Sequence, residues 1–201
     1  FRLKNLTKSL ETSDAIVLAV ANSVEAKDTL TKGHISRVAY YAKKIGRSFN
    51  MTERELELLR KGAILHDIGK IGTPDNILNK PGPLDDEEFE VMKRHPVDGW
   101  KILNSMKSFE HLAKIVRHHH EKLDGSGYPD GIKADDIDIY TKIVAILDIY
   151  DALTAERPYR KALSRETAFE IIFKDVEKGK LDADVAKALY EITKELEGKF
   201  L

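Results

Sequence analysis

Ten residues in the second half of the chain, Lys142-Ile143-Val144-Ala145-Ile146-Leu147-Asp148-Ile149-Tyr150-Asp151, are apolar nearly all round. A helix of that pattern is buried rather than laid on a surface. Asp148 therefore enters the interior as a carboxylate, which is costly unless it is paired with a cation or binds a metal. Asp151 lies one turn on, on nearly the same face, where it could orient a ligand from behind. The plain alternative for Asp148 is a buried salt bridge.

The rest of the chain also reads as helix. A helix is expected from about Thr31 to Phe49, with His34, Val38, Tyr41, Ala42 and Ile45 on one face. Thr52-Glu53-Arg54-Glu55 is a capping box that opens a third helix reaching His66-Asp67, and Gly69 is expected to stop it. Pro74, Pro81, Gly82 and Pro83 mark a loop over about 71–84. Asp85 with Glu88 caps a short helix that ends before Pro96. Further helices are expected at about 97–105, 109–120, 137–155, 165–178 and 182–197. No stretch alternates at period two for long, so the fold class is all-α. Near the N-terminus, Leu3, Leu6, Leu10, Val17, Val20 and Val24, with Ser13 filling the gap, are spaced by threes and fours like a coiled-coil seam. The alternative is one amphipathic helix packed on its own domain.

Composition removes several chemistries. The chain has 201 residues and no cysteine, which excludes disulfides, thiolate zinc sites and cysteine nucleophiles. A net charge of −1 gives no global attraction to nucleic acid or to an anionic membrane. No signal peptide or long apolar run is present, so a reducing, cytoplasmic setting is expected. The chain begins at Phe1, and a piece of a longer protein is expected.

Of seven histidines, four fall in two short segments, His66-Asp67-Ile68-Gly69-Lys70 and His118-His119-His120-Glu121. The second runs into Asp124-Gly125-Ser126-Gly127-Tyr128-Pro129. Imidazole and carboxylate are the usual ligands of catalytic transition metals. On a helical wheel, Leu112, Ile115 and Val116 define a buried face that carries His119 at its centre and His120 at its edge; His118 and His111 point to solvent. Leu56, Leu59 and Ala63 share their face with His66, with Asp67 at its margin. His34 lies on the stripe of Val38, Tyr41 and Ile45. His95-Pro96 holds a histidine in extended or turn geometry at a helix junction. One inward histidine is usually a hydrogen-bonded core residue, but several joined by buried aspartates point to a metal.

The ordered series His34, His66-Asp67 with Lys70, His95-Pro96, His119-His120-Glu121, Gly127-Tyr128-Pro129 and Asp148 resembles the HD-GYP family, a branch of the HD phosphohydrolase superfamily. The match runs from about residue 25 to 197. The resemblance implies an all-helical HD-domain bundle of about seven to nine helices. Residues 1–28 would form an N-terminal helical arm, and 29–201 the catalytic domain. It implies a phosphodiesterase that opens cyclic di-GMP to linear pGpG, with GMP as the further product. Two divalent metals, iron or manganese, would serve as cofactors. His34, His66, Asp67 and Asp148 would hold one, and His95, His119 and His120 the other, with Asp67 bridging. Asp151 and Glu121 would support these ligands from behind. Some family members carry a glutamate four residues before the first histidine ligand, where it supports a third metal; here that position is Leu30, so two are expected.

The expected chemistry is attack on the phosphate by a hydroxide bridging two metals. Lys70 is expected to bind the scissile phosphate and offset charge in the transition state, acting with Asp67. Arg157 and Arg160 are expected to clamp the second phosphate; the alternative is that they cap the preceding helix. Tyr128 either stacks on a guanine or bonds a phosphate, or it packs the loop as a rigid lid. Two rivals remain: an HD phosphohydrolase acting on another nucleotide, and a signalling module that senses a cyclic dinucleotide with little turnover. The expected partner is the small cyclic dinucleotide, with no large nucleic acid and no membrane segment. The N-terminal seam adds a homodimer or an upstream regulatory domain.

Overall fold

The computed structural model describes residues 17–28, 33–106, 109–156 and 160–197. Among these residues the chain is helical, with no β-strand. Helix α1 spans 17–27. It is followed by α2 (His34–Ser48), α3 (Glu53–Leu65), α4 (Asp75–Leu78), α5 (Asp86–Met92), α6 (His95–Asn104) and α7 (Glu110–His118). Then come α8 (Ile139–Thr154), α9 (Arg165–Glu177) and α10 (Ala183–Glu197). No described helix is long and apolar enough to cross a membrane.

Helix α8 lies at the centre, packed on by α2, α3, α7, α9 and α10. Its Ile143, Val144, Ile146 and Leu147 are all but inaccessible, as the nearly unbroken apolar sequence requires. The Asp138 side chain caps its first turn by accepting from the Thr141 amide. Both expected capping boxes are present, Thr52 with Glu55 at α3 and Asp85 with Glu88 at α5. Each satisfies two backbone donors that the first turn leaves without helical partners.

The structure differs from the sequence expectations in two places and, in the described part of the arm, shows the second of two alternatives. Gly69 does not stop α3. That helix ends at Leu65, and Gly69 sits inside a 3-10 turn, Ile68–Gly72. A Cβ on Gly69 would lie 1.9 Å from the carbonyl oxygen of His95 and 2.5 Å from the amide nitrogen of Gly99. Glycine is needed because the 3-10 turn crosses α6 backbone to backbone. The expected loop over 71–84 contains a one-turn helix, α4, entered through Pro74 and anchored by buried Ile77 and Leu78. Four residues are too few to show a period. In α1, Val17, Ala21 and Val24 are buried against the domain while Val20 faces outward, so the described part of the arm packs along an i, i+4, i+7 stripe. Leu3, Leu6, Leu10 and Ser13 lie outside the described residues.

The tight crossing at Gly69 makes a testable demand. Gly69→Ala forces a methyl group into two backbones that cannot rotate away. Overpacking of this kind costs about 2–3 kcal/mol. The expected outcome is a thermal midpoint lower by roughly 5–10 °C, read by calorimetry or circular dichroism.

Candidate metal centre

Every histidine and aspartate of the cluster enters at the end of a helix or from α8. His34 is the first residue of α2, after Gly33, whose φ is 75°. His66 and Asp67 follow the last turn of α3. His95 opens α6, and His119 and His120 follow α7. Asp148 projects from α8 between them. His34, His66, His95 and His119 are buried; His120, Asp67 and Asp148 are half-buried and reach toward an open side.

Local hydrogen bonds settle the imidazole tautomers. The Nδ1–H of His66 donates to the Ala63 carbonyl at 2.8 Å, that of His95 to Met92 at 2.8 Å, and that of His119 to Val116 at 2.7 Å. In each case the partner is the carbonyl three residues back, a group left open at a helix end. His34 donates through Nδ1 to Asp151 Oδ2 at 2.7 Å. In their neutral forms all four rings therefore present Nε2 as a lone pair. These nitrogens point at one another: His34 and His66 meet at 3.2 Å, and His95 and His119 meet at 3.2 Å. Two lone pairs so placed repel unless a cation lies among them.

Asp67 stands between the two pairs. Its Oδ2 lies 3.4 Å from His66 Nε2 and 3.9 Å from His34 Nε2. Its Oδ1 lies 3.3 Å from His95 Nε2 and 3.8 Å from His119 Nε2. Asp148 turns Oδ1 toward the first pair, at 3.8 and 3.9 Å, and Oδ2 toward His120 Nδ1 at 4.0 Å. Two groups of donors thus share one carboxylate: His34, His66 and Asp67, and Asp67, His95, His119 and His120. Each could hold one cation, and nitrogen with carboxylate donors suits a divalent transition metal.

Protonation differs between the two halves. Burial by itself would lower the His66 pKa, but Asp67 and Asp148 outweigh it and raise the ring to about 9. A proton can therefore settle the first pair, and a metal would have to displace it. Burial, followed by the neighbouring imidazoles, holds His119 well below its ordinary value. Burial and His95 push His120 down to about 3. These two rings stay neutral and ready to ligate. Asp67 is ionised despite its burial, because Lys70 and His66 face it.

Around the cluster, the other expected residues divide. Asp151 is buried and holds His34 while accepting a two-pronged contact from Arg37, with Nε at 2.6 Å and Nη2 at 3.0 Å. Lys70 Nζ lies 2.7 Å from Asp67 Oδ2 and 3.1 Å from Asp28 Oδ2. The Tyr128 ring stacks on His120 at 4.8 Å and meets Phe89 edge-on. His118, expected in solvent, is half-buried and shares Asp130 with Arg117. Two expectations are corrected. Glu121 bonds no cluster histidine among the described contacts: its Oε1 accepts from the amides of Asp130 and Gly131, because the chain turns away after His120. It anchors the turn whose Gly127 crosses Glu121–Lys122 so closely that a Cβ would lie 2.3 Å from the Lys122 nitrogen. Arg160 does not reach the cluster either. It donates to the carbonyls of Ala152 and Leu153 and so caps the end of α8. Arg157 lies outside the described residues, as does Leu30.

Sequence reasoning passed over Asp28, which is buried and pairs with Lys70. A signal existed: Asp28 continues the buried stripe Val17, Ala21, Val24 and so carries a carboxylate into the interior. Arg37 could have been found one turn after His34.

The contact between Asp151 and His34 predicts that Asp151→Asn weakens metal binding without unfolding the chain. A partner behind a ligating histidine is worth about 10–100-fold in metal affinity. Competition titration with a chelator reads the change, and an unaltered affinity would contradict the placement of His34.

The comparisons with known proteins agree with this geometry. Residues 19–185 match the HD domain family model. The chain is 43% identical over 159 residues to the 3'3'-cGAMP-specific phosphodiesterase 3 of Vibrio cholerae, a match covering 79% of this chain and 35% of that protein. It is 41% identical over 184 residues to a cyclic di-GMP phosphodiesterase of Thermotoga maritima, covering 90% of this chain and 50% of the relative. The chain thus spans between a third and a half of the length of these two curated relatives. The crystal structure of a cyclic GMP-AMP specific phosphodiesterase of V. cholerae superposes with a TM-score of 0.57 at 35% identity, over 90% of this chain and 41% of that one. An HD-GYP-like protein of Bdellovibrio bacteriovorus shares the fold, with a TM-score of 0.67 at 24% identity over 80% of this chain and 51% of that one. With the family match spanning α1 to the first turn of α10, the chain belongs to the HD domain family, in its HD-GYP branch.

Proposed function

We propose that this chain is a metal-dependent phosphodiesterase that hydrolyses a cyclic dinucleotide, with cyclic di-GMP as substrate and linear pGpG as product. The observation that carries the reading is Asp67, which lines a cavity of about 290 Å³ and turns its two oxygens to two separate pairs of imidazole Nε2 atoms. The relatives named as cyclic di-GMP or 3'3'-cGAMP phosphodiesterases support the substrate class.

In this reading His34, His66, Asp67 and Asp148 hold one metal, and Asp67, His95, His119 and His120 the other. Iron or manganese suits ligands of nitrogen and oxygen without sulfur. When bound, the pair supplies a nucleophile at neutral pH and positive charge for the phosphate oxygens.

The chain's own groups do the rest. Asp67 fixes the spacing of the two halves. Asp151 keeps the His34 ring turned inward. Lys70 lines the cavity and keeps its proton, because Asp67 and Asp28 outweigh the cost of its burial. Its charge stands beside the site of the phosphate, where it offsets charge that builds during attack. Tyr128, held between His120 and Phe89, forms a flat wall on which a purine can stack. The arm over residues 1–28 would couple the domain to an upstream regulatory region or to a second copy.

The cGAMP-specific relatives favour one second reading, a preference for the mixed dinucleotide. Initial rates on cyclic di-GMP, 3'3'-cGAMP and cyclic di-AMP, with products separated by chromatography, decide between them. The expected result is fastest cleavage of cyclic di-GMP to pGpG; no cleavage of any of the three overturns the proposal. Elemental analysis is expected to find two metal ions per chain. His66→Ala combined with Asp67→Ala removes a contribution of several kcal/mol, so kcat should fall by about 10³-fold or more.

A further inference from the structure

We propose that Lys80 binds the phosphate of the cyclic dinucleotide that is not being cut. This rests on the phosphodiesterase reading above. A cyclic dinucleotide carries two phosphodiesters, each with one negative charge. If one sits at Asp67 and Asp148 among the metals, the other must lie elsewhere in the same cavity, and a buried anion needs a cation or a fan of donors.

The described cations near the cavity are not equivalent. Lys70 is engaged on both sides by Asp67 and Asp28, at 2.7 and 3.1 Å. Arg160 is anchored through Nη2 on the carbonyls of Ala152 and Leu153 at the end of α8. Lys80 lines the cavity on the wall formed by Ile77, Leu78, Gly82 and Leu84, while Asp67, His120 and Asp148 line it from the cluster. Its ammonium pairs with Glu88 Oε2, and the Lys80 side chain is 34% exposed. Glu88 is itself fixed, because the same oxygen accepts from the Asp85 amide in the cap of α5. Lys80 is therefore held at the cavity by an anion that cannot follow it. A half-exposed ion pair of this kind is worth little, so a phosphate can draw the ammonium away at small cost. The backbone beneath is firm: Asn79 Nδ2 donates to the Lys27 carbonyl at 3.0 Å, and Pro81 and Pro83 limit the loop that follows.

The test compares a substrate with two phosphates with one that has a single phosphate. For Lys80→Ala, KM for cyclic di-GMP and its Kd by calorimetry should both rise on the order of tenfold, with kcat changed far less, since a hydrogen bond to a charged group is lost. Hydrolysis of bis(p-nitrophenyl) phosphate, which has one phosphate, should suffer much less. Glu88→Gln keeps the helix cap, because glutamine also serves there, but removes the competing anion, so KM for cyclic di-GMP should fall. Equal losses on both substrates in Lys80→Ala would mean that Lys80 only braces the loop, and would overturn the proposal. Unchanged KM and Kd would do the same. A wild-type chain that binds cyclic di-GMP through Lys80 but does not cut it keeps this inference and removes the phosphodiesterase reading. A chain that neither binds nor cuts any cyclic dinucleotide removes both.

Discussion

One carboxylate sets the terms for the whole molecule. Asp67 lies among four imidazole Nε2 atoms, two to each of its oxygens. A buried arrangement of that kind is stable only with positive charge among the nitrogens. Each ring is committed to it by a hydrogen bond on its far side, to a helix-end carbonyl or to Asp151. Polar groups that helices leave open at their ends are thereby used to aim the ligands. The same economy explains why the site residues sit at helix junctions rather than mid-helix, Asp148 and Asp151 apart.

Bringing five segments to one point demands close packing. The 3-10 turn that carries Lys70 must cross α6 near His95, and only glycine at position 69 permits the approach. Helix α8 supplies Asp148 and Asp151 from the middle of the bundle, so its sides are covered by five other helices. The costs of ordering these groups are met by the apolar core around them rather than by the polar cluster itself.

Charge is arranged unevenly around the centre. His66 is drawn toward protonation by Asp67 and Asp148, whereas His119 and His120 are kept neutral by burial and by neighbouring imidazoles. Among the described residues, cations lining the cavity are few. Lys70 answers to two aspartates, and Arg160 to the end of α8. This scarcity is what makes Lys80, on the wall away from the cluster, informative about how a second phosphate could be held.

The local signals in the chain were strong enough to determine the helices, their caps and the inward turn of His34, His66, His119 and Asp148. They rest on period and side-chain chemistry, which need no knowledge of neighbours. The ordered motifs also sufficed to point to the HD-GYP branch. Position across the bundle was not legible. Nothing in the sequence could say that Gly69 serves a backbone crossing rather than a helix stop, because the partner lies some thirty residues on, at His95 and Gly99. Likewise Glu121 beside two histidines, and Arg160 in a basic cluster, looked like members of the site. Only the path of the chain after His120 and α8 turned them elsewhere, and only tertiary contact brought Asp28 and Lys80 to the cavity. Short-range periodicity decides which way a side chain faces its own helix, whereas its partner across the fold is decided by how the helices meet.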